Sequence, residues 1–175
     1  MDFKKMIRPT HTIIRPENPG DRDAIYDVTK LAFEDMPFAA GDEQDLVNAL
    51  RDVGALSLSL VAEHMEKVVG HLALSPVEHE SGEKGWYGLG PISVHPDLQK
   101  KGIGGLMIAK AIEWMTARQA QGCILTGDPN YYSRHGFVSA PAHTPEREPQ
   151  EYFMILGLSG TVPTGRFSFH GAFYS

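Results

Sequence analysis

Gly90-Pro91-Ile92-Ser93-Val94-His95-Pro96-Asp97-Leu98-Gln99-Lys100-Lys101-Gly102-Ile103-Gly104-Gly105-Leu106-Met107 is the stretch whose reading decides the fold of this chain. It passes from a short apolar strand through a basic, glycine-rich turn into a helix whose first turn has almost no side chains. Such an entry leaves several backbone N–H groups without intrahelical partners, and the helix dipole adds partial positive charge at the same end. A phosphate group suits that place. Gln99, Lys100, Lys101, Gly102, Ile103 and Gly104 therefore form a candidate pyrophosphate cradle. Lys100 and Lys101 either lend charge to it or are ordinary surface lysines beside a helix start; the sequence leaves both readings open.

Two other phosphate loops are excluded. A dinucleotide fingerprint beginning at Gly102 needs glycine where Met107 stands, and a P-loop needs Gly-Lys followed by Ser or Thr, which the chain lacks. What remains, Ile92-Ser93-Val94-His95-Pro96 followed by Gln-x-x-Gly-x-Gly, resembles motif A of the GNAT acetyltransferases, which move an acyl group from a coenzyme A thioester to an amine. The alternative is a helix entry whose glycines only permit close packing. The resemblance implies that backbone groups of Ile92, Ser93 and Val94 hold the pantetheine arm and that the turn holds the pyrophosphate.

A chain of 175 residues with 42% hydrophobic and 22% charged residues reads as one ordinary globular domain. Its single cysteine, Cys123, lies in an apolar run and reads as a small buried hydrophobe; no intrachain disulfide is possible. The stretch Met1–Arg8 lacks the apolar segment of a secretion signal, and no run approaches a membrane span, so a cytoplasmic protein without membrane contact is expected. The net charge of −6 argues against nucleic acid as partner and mildly favours a cationic one. His11, His64, His95, His135, His143 and His170 have no metal-ligand spacing, so no metal is expected.

Around the decisive stretch, Thr12–Arg15 predicts a strand, Asp21–Phe33 a helix with Ile25, Val28, Leu31 and Ala32 on one face, and Asp42–Val53 a second helix. Leu56–Glu63 and Val68–Leu74 predict a hairpin, and Val77–Gly85 a polar loop or strand extension. Trp86–Val94 predicts a strand interrupted at Gly90-Pro91, because proline cannot donate to a ladder and glycine in a strand marks a bulge or a close approach. Pairing with the next strand, Gly122–Thr126, is expected to open toward the C-terminal end. Between them lies a helix from Gly102 to Gln121, with Ile103, Met107, Ala111, Trp114 and Met115 as its core face and Gly122 ending it. Phe137-Val138 and Glu151–Leu158 complete the strands, separated by a proline-rich loop, Pro141–Pro149. The tail Ser159–Ser175 is either mobile or docked through Phe167, Phe169, Phe173 and Tyr174.

A second match to the family is Tyr132 followed by three residues and Gly136-Phe137. The resemblance implies that Tyr132 lies near the thioester sulfur and acts as general acid; the alternative is a tyrosine that only anchors a short helix. The base departs from the pattern. Members with a direct base often place a glutamate eleven residues before the motif glutamine, where this chain has Gly88, and no carboxylate occurs from Trp86 to Val94. A water relay, an amine that arrives neutral, or a residue such as Glu43, His71 or His79 remains.

The expected architecture is α/β: a GNAT-type mixed, mainly antiparallel sheet splayed at its centre, with helices on both faces. Residues 1–158 would form the acyltransferase domain, and 159–175 a tail that docks or stays free. The resemblance implies acetyl transfer from acetyl-CoA (coenzyme A) to a primary amine of a small molecule or protein within a ternary complex, by a monomer or homodimer without a metal. The competing reading is a coenzyme A-binding sensor or regulatory module without turnover.

Overall fold

The computed structural model describes residues 11–175, so the stretch Met1–Arg8 lies outside the described residues. The elements run β1 (Thr12–Pro16), α1 (Arg22–Phe33), α2 (Glu43–Asp52), β2 (Leu58–His64), β3 (Lys67–Pro76), β4 (Glu78–His79), β5 (Trp86–Val94), α3 (Ile103–Ala117), β6 (Gly122–Thr126), α4 (Pro129–Tyr132), β7 (Val138–Ser139), β8 (Phe153–Gly157) and β9 (Phe167–Ser168). Seven strands make one mixed sheet in the order β1-β2-β3-β5-β6-β8-β7, and β4 pairs with β9 in a second. β5 and β6 are parallel, whereas β1 with β2, β6 with β8 and β7 with β8 are antiparallel. This is the mainly antiparallel α/β sheet that the sequence leads one to expect. The chain divides into two compact units, residues up to Ala73 with Pro91–Ala111, and Leu74–Gly90 with Ile112–Ser175.

In the first unit, Ile25 of α1 and Val47 of α2 pack on Val61 of β2, joined by Leu56 and Val68. The entry of α1 is fixed by charge. Arg15 donates to Asp21 at 2.7 Å and to Glu63 at 2.6 Å, tying β1 to the helix start and to β2. Leu31, expected on the inner face of α1, is 41% exposed; the buried place is taken by Thr29, whose hydroxyl lies 3.3 Å from that of Ser93. The β2–β3 hairpin turns on Met65 and Glu66, both left-handed at φ 50° and 64°, the backbone of a tight two-residue turn usually given to Asn-Gly.

α3 ends earlier than expected. Gln119 takes the left-handed conformation at φ 57°, and Ala120 N–H returns to the Met115 carbonyl, so the stop is made before Gly122. Gly122 instead begins β6, where a Cβ would collide with the Leu156 carbonyl and the Trp86 ring. Ile103, Met107, Ala111 and Met115 are buried as the periodicity predicts. Trp114 is only half-buried: Tyr87 meets its ring edge-on at 5.4 Å and the Arg118 guanidinium lies 3.9 Å from its centre.

The core of the second unit gathers Val77, Trp86, Ile124, Phe153 and Ile155 with two residues of the C-terminal tail, Phe167 and Phe169. β9 pairs with β4 through Glu78–Ser168 and His79–Phe167, and Glu80 exchanges backbone bonds with Arg166 through its N–H and its side chain. Phe167 is fully buried, with the Trp86 ring 4.9 Å and the His79 ring 4.6 Å from it. Truncating so large a buried ring leaves a cavity, at a cost of roughly 3–5 kcal/mol. Phe167→Ala should therefore lower the urea midpoint by a corresponding amount; an unchanged midpoint would show that the tail contributes nothing to the core.

Candidate active site

β5 contains one residue too many for its partner. Val77 N–H bonds the Trp86 carbonyl at one end of the β3–β5 pair, and His95 N–H bonds the Val69 carbonyl at the other. Between these bonds β5 advances nine residues and β3 eight, so β5 carries a bulge, and Gly90 at φ 145° with Pro91 behind it lies within that span. The bulge reverses which residues face β3. Beyond it Ile92 and Val94 turn their N–H and C=O groups away from β3, while the Ser93 backbone turns toward it. The parallel ladder with β6 covers Trp86, Tyr87 and Gly88 and stops at Gly88–Ile124, although β6 continues to Thr126. The sheet opens where the sequence places its defect.

The turn that follows is built from local bonds. His95 caps the short 3-10 turn Pro96–Leu98 by accepting from Asp97 N–H at 3.1 Å, and Leu98 is buried as its anchor. The Gln99 amide donates back to the Val94 carbonyl at 3.1 Å, holding the turn against the strand end. Lys100 and Gly102 are left-handed at φ 62° and 88°. A lysine in that region costs of order 1–2 kcal/mol, so this part of the backbone is held in a strained shape by its surroundings. Leu106 N–H makes the first helical bond, to Gly102 C=O. The amides of Ile103, Gly104 and Gly105 have no acceptor among the described residues, and Gly104 and Gly105 bring no side chain to the helix start. Gln99 to Gly104, the Ile92 backbone groups and the Val94 N–H thus lie on one continuous strand–turn–helix path, the Val94 C=O being taken by Gln99. Ser93 differs in what it offers, since its side chain is committed to Thr29.

Tyr132 lies on the second unit. Asp128 caps the short helix by accepting from Asn130 N–H at 2.9 Å, Pro129 takes the first helical position, and Gly136 at φ 92° ends the 3-10 turn that follows. The Tyr132 ring fills the place where Gly127 has no side chain; a Cβ there would meet its Cδ2 at 2.9 Å. Tyr131 and Phe137 meet the same ring edge-on at 4.9 and 6.0 Å. Burial pushes the Tyr132 phenol well above its ordinary value, so it is protonated throughout the neutral range. Its hydroxyl bonds no other group among the described residues and is free to donate. The need for glycine at 127 was invisible in sequence, because only the folded turn places it beneath the ring.

The residues considered as bases are engaged elsewhere. Glu43 accepts from Ala40 N–H at 2.8 Å and Gly41 N–H at 3.1 Å, closing the turn before α2. His71 is fully buried with its Nε2 2.7 Å from the Ser59 hydroxyl, and burial pushes its pKa down to about 3. His79 is buried between Phe167 and Ser81. At Gly88 itself, a Cβ would meet Phe169 Cδ1 and Val77 Cγ1, each at 3.0 Å. The tail thus occupies the space that a side chain there would need. One carboxylate that sequence reasoning passed over is Glu148, half-buried in the proline-rich loop, which accepts from the Tyr174 hydroxyl at 2.9 Å. Its partner stands 26 residues away, outside any motif. Cys123 is fully buried and its thiol is pushed up by that burial, which leaves it inert. No three His, Cys, Asp or Glu residues converge among the described residues.

A model of the acetyltransferase (GNAT) family matches residues 23–137. The N-acetyltransferase YhbS of Escherichia coli K12 is 31% identical over 132 residues, covering 75% of this chain and 76% of that protein. A GNAT family acetyltransferase from Brucella melitensis, solved in complex with acetyl-CoA, is 42% identical with a TM-score of 0.83, covering 93% of this chain and 98% of its own. The crystal structure of Escherichia coli YhbS in complex with CoA has a TM-score of 0.85 at 28% identity, covering 94% and 93%.

The packing at Gly88 makes a direct expectation. Gly88→Glu must displace Phe169 and Val77 and sets a carboxylate among apolar groups, so it should destabilise the fold by about 1–3 kcal/mol or more. A thermal melt checks this; an unchanged midpoint would mean that the tail does not close off this position.

Proposed function

The chain belongs to the GNAT acetyltransferase family, and on that premise we propose that it transfers the acetyl group of acetyl-CoA to a primary amine of a small molecule or a protein, by direct attack with both substrates bound. The observation that carries the reading is the bulge in β5. It leaves the Ile92 backbone groups and the Val94 N–H outside the ladder with β6 and leads directly to the unpaired amides at the start of α3. A pantetheine arm is a chain of amides that can pair with a free strand edge, and its pyrophosphate is the anion that a bare helix start attracts.

In the reaction the amine nitrogen attacks the thioester carbonyl carbon, the C–N bond forms, the C–S bond breaks, and the departing thiolate takes a proton. Much of the acceleration comes from holding the amine against the carbonyl. Tyr132 donates its hydroxyl hydrogen toward the sulfur as negative charge develops there. A thiol has a pKa near ~8.5, below that of a buried phenol, so the net proton that ends on sulfur originates on the amine and Tyr132 stabilises the charge in passing. The missing side chain at Gly88 favours a second reading, a coenzyme A-binding module without turnover. Release of free thiol from acetyl-CoA in the presence of amines separates the two.

Two variants test the assignments. Gly104→Val sets a branched side chain over the open amides and should weaken coenzyme A binding at least about tenfold, or ~1.4 kcal/mol, by calorimetric titration; unchanged affinity in the folded variant would remove the cradle. Tyr132→Phe should lower kcat by about 10²-fold with coenzyme A affinity nearly intact, while Tyr131→Phe does much less. Equal and small effects would mean that Tyr132 is structural and the thiolate leaves unaided.

A further inference from the structure

An amine of pKa near ~10.4 is almost wholly protonated at neutral pH, and neither β5 nor the three residues considered above supplies a free base. The proline-rich loop does. Its conformation is fixed: Thr144 is buried with its hydroxyl on the Pro141 carbonyl at 2.8 Å, and Glu148 N–H returns to the Pro145 carbonyl at 3.1 Å. This holds the Glu148 carboxylate beside two other elements. Tyr174, in the last turn of the tail, donates to one of its oxygens at 2.9 Å, and the Thr126 side chain at the end of β6 interacts with it as well. Thr126 is the last residue of the strand whose ladder to β5 has already opened, and the next residue, Gly127, lies under the Tyr132 ring. Glu148 and Tyr132 are therefore both set against two consecutive residues at the open end of β6.

We infer that Glu148 takes the proton from the acceptor amine, and that Tyr174 is its positioning residue. The inference rests on the acetyl-transfer reading above. Glu148 takes one proton from the bound ammonium and later passes it to solvent; the freed lone pair forms the C–N bond, the C–S electron pair goes to the departing thiolate, and the second proton, now acidic on nitrogen, ends on sulfur. No further reactant is needed. Burial raises the Glu148 carboxyl above its ordinary value, and the Tyr174 hydroxyl and Thr126 draw it partly back. Arg147 is a charged neighbour of its partner, the guanidinium lying 5.2 Å from the centre of the Tyr174 ring.

The test is kcat/KM against pH, by thiol release from acetyl-CoA, with n-propylamine, phenethylamine, spermidine and a lysine-containing peptide as acceptors. In the wild type, kcat/KM should rise through the Glu148 pKa and then stay level up to the pKa of the amine. Glu148→Gln should lose about 10²-fold at pH 7, keep its coenzyme A affinity, and rise tenfold per pH unit toward the amine pKa, where the loss disappears. Tyr174→Phe removes a donor that favours the carboxylate, so the acidic limb should move to higher pH. A Glu148→Gln profile parallel to the wild type, or one equal to it, overturns the inference and leaves the acetyltransferase reading standing. Thiol release from the wild type with none of the four amines would instead count against the parent reading. Independently of any acceptor, a carbon-13 NMR titration of the Glu148 carboxyl should give a value above 4.5 that rises in Tyr174→Phe; an ordinary value that does not respond would also overturn it.

Discussion

One surplus residue in β5 governs the rest of the structure. A β-ladder pairs residues one for one, so an extra residue on one strand must be set aside, and the strand beyond it presents the opposite set of backbone groups to its neighbour. In this chain the change falls at Gly90-Pro91, a glycine able to adopt φ 145° and a proline with no N–H to lose. Pairing with β6 ends at Gly88, and the Ile92 and Val94 backbone groups are turned away from β3. In a regular sheet such groups would be consumed by the next strand. The bulge takes backbone groups out of the ladder without exposing an outer edge of the sheet.

The helix that follows continues the same economy of backbone. Gln99 ties the turn to the Val94 carbonyl, and Lys100 and Gly102 take left-handed conformations that aim the start of α3. The strain at Lys100 is a local cost borne by the anchored Leu98 and the buried Ile103 on either side. Three successive amides then stand without an acceptor among the described residues.

The second unit solves another problem, the arrangement of ionisable groups in a region crowded with aromatic rings. Phe167 and Phe169 bring the tail into the core, and Phe169 takes the space beside Gly88. Packing thereby opposes a carboxylate at position 88. The same tail ends at Tyr174, which bonds Glu148 on the proline-rich loop. Burial sets the protonation states here in a consistent direction: Tyr132 stays a neutral donor and Cys123 a neutral thiol, as His71 of the first unit stays a neutral imidazole.

Local pattern carried far in this protein. The order of the strands along the chain, the helix start at 103, the defect at Gly90-Pro91 and the Tyr132–Gly136 spacing all follow from residues within a few positions of one another, because turn chemistry, capping and proline geometry act over that range. What local pattern misassigned were features set by distant partners. Gly122 reads as a helix stop but is a glycine because of Trp86 and the Leu156 carbonyl; Leu31 reads as core but faces outward; Trp114 reads as core but supports Arg118 at the surface. Gly127 beneath Tyr132, Phe169 against Gly88 and Tyr174 on Glu148 join residues from 5 to 81 positions apart along the chain. The sequence by itself determined the strand–turn–helix with its open amides, since those depend on backbone conformation. Only the tertiary structure decided which side chains stand beside one another, because no local rule links a tail phenylalanine or tyrosine to the residue it meets across the core.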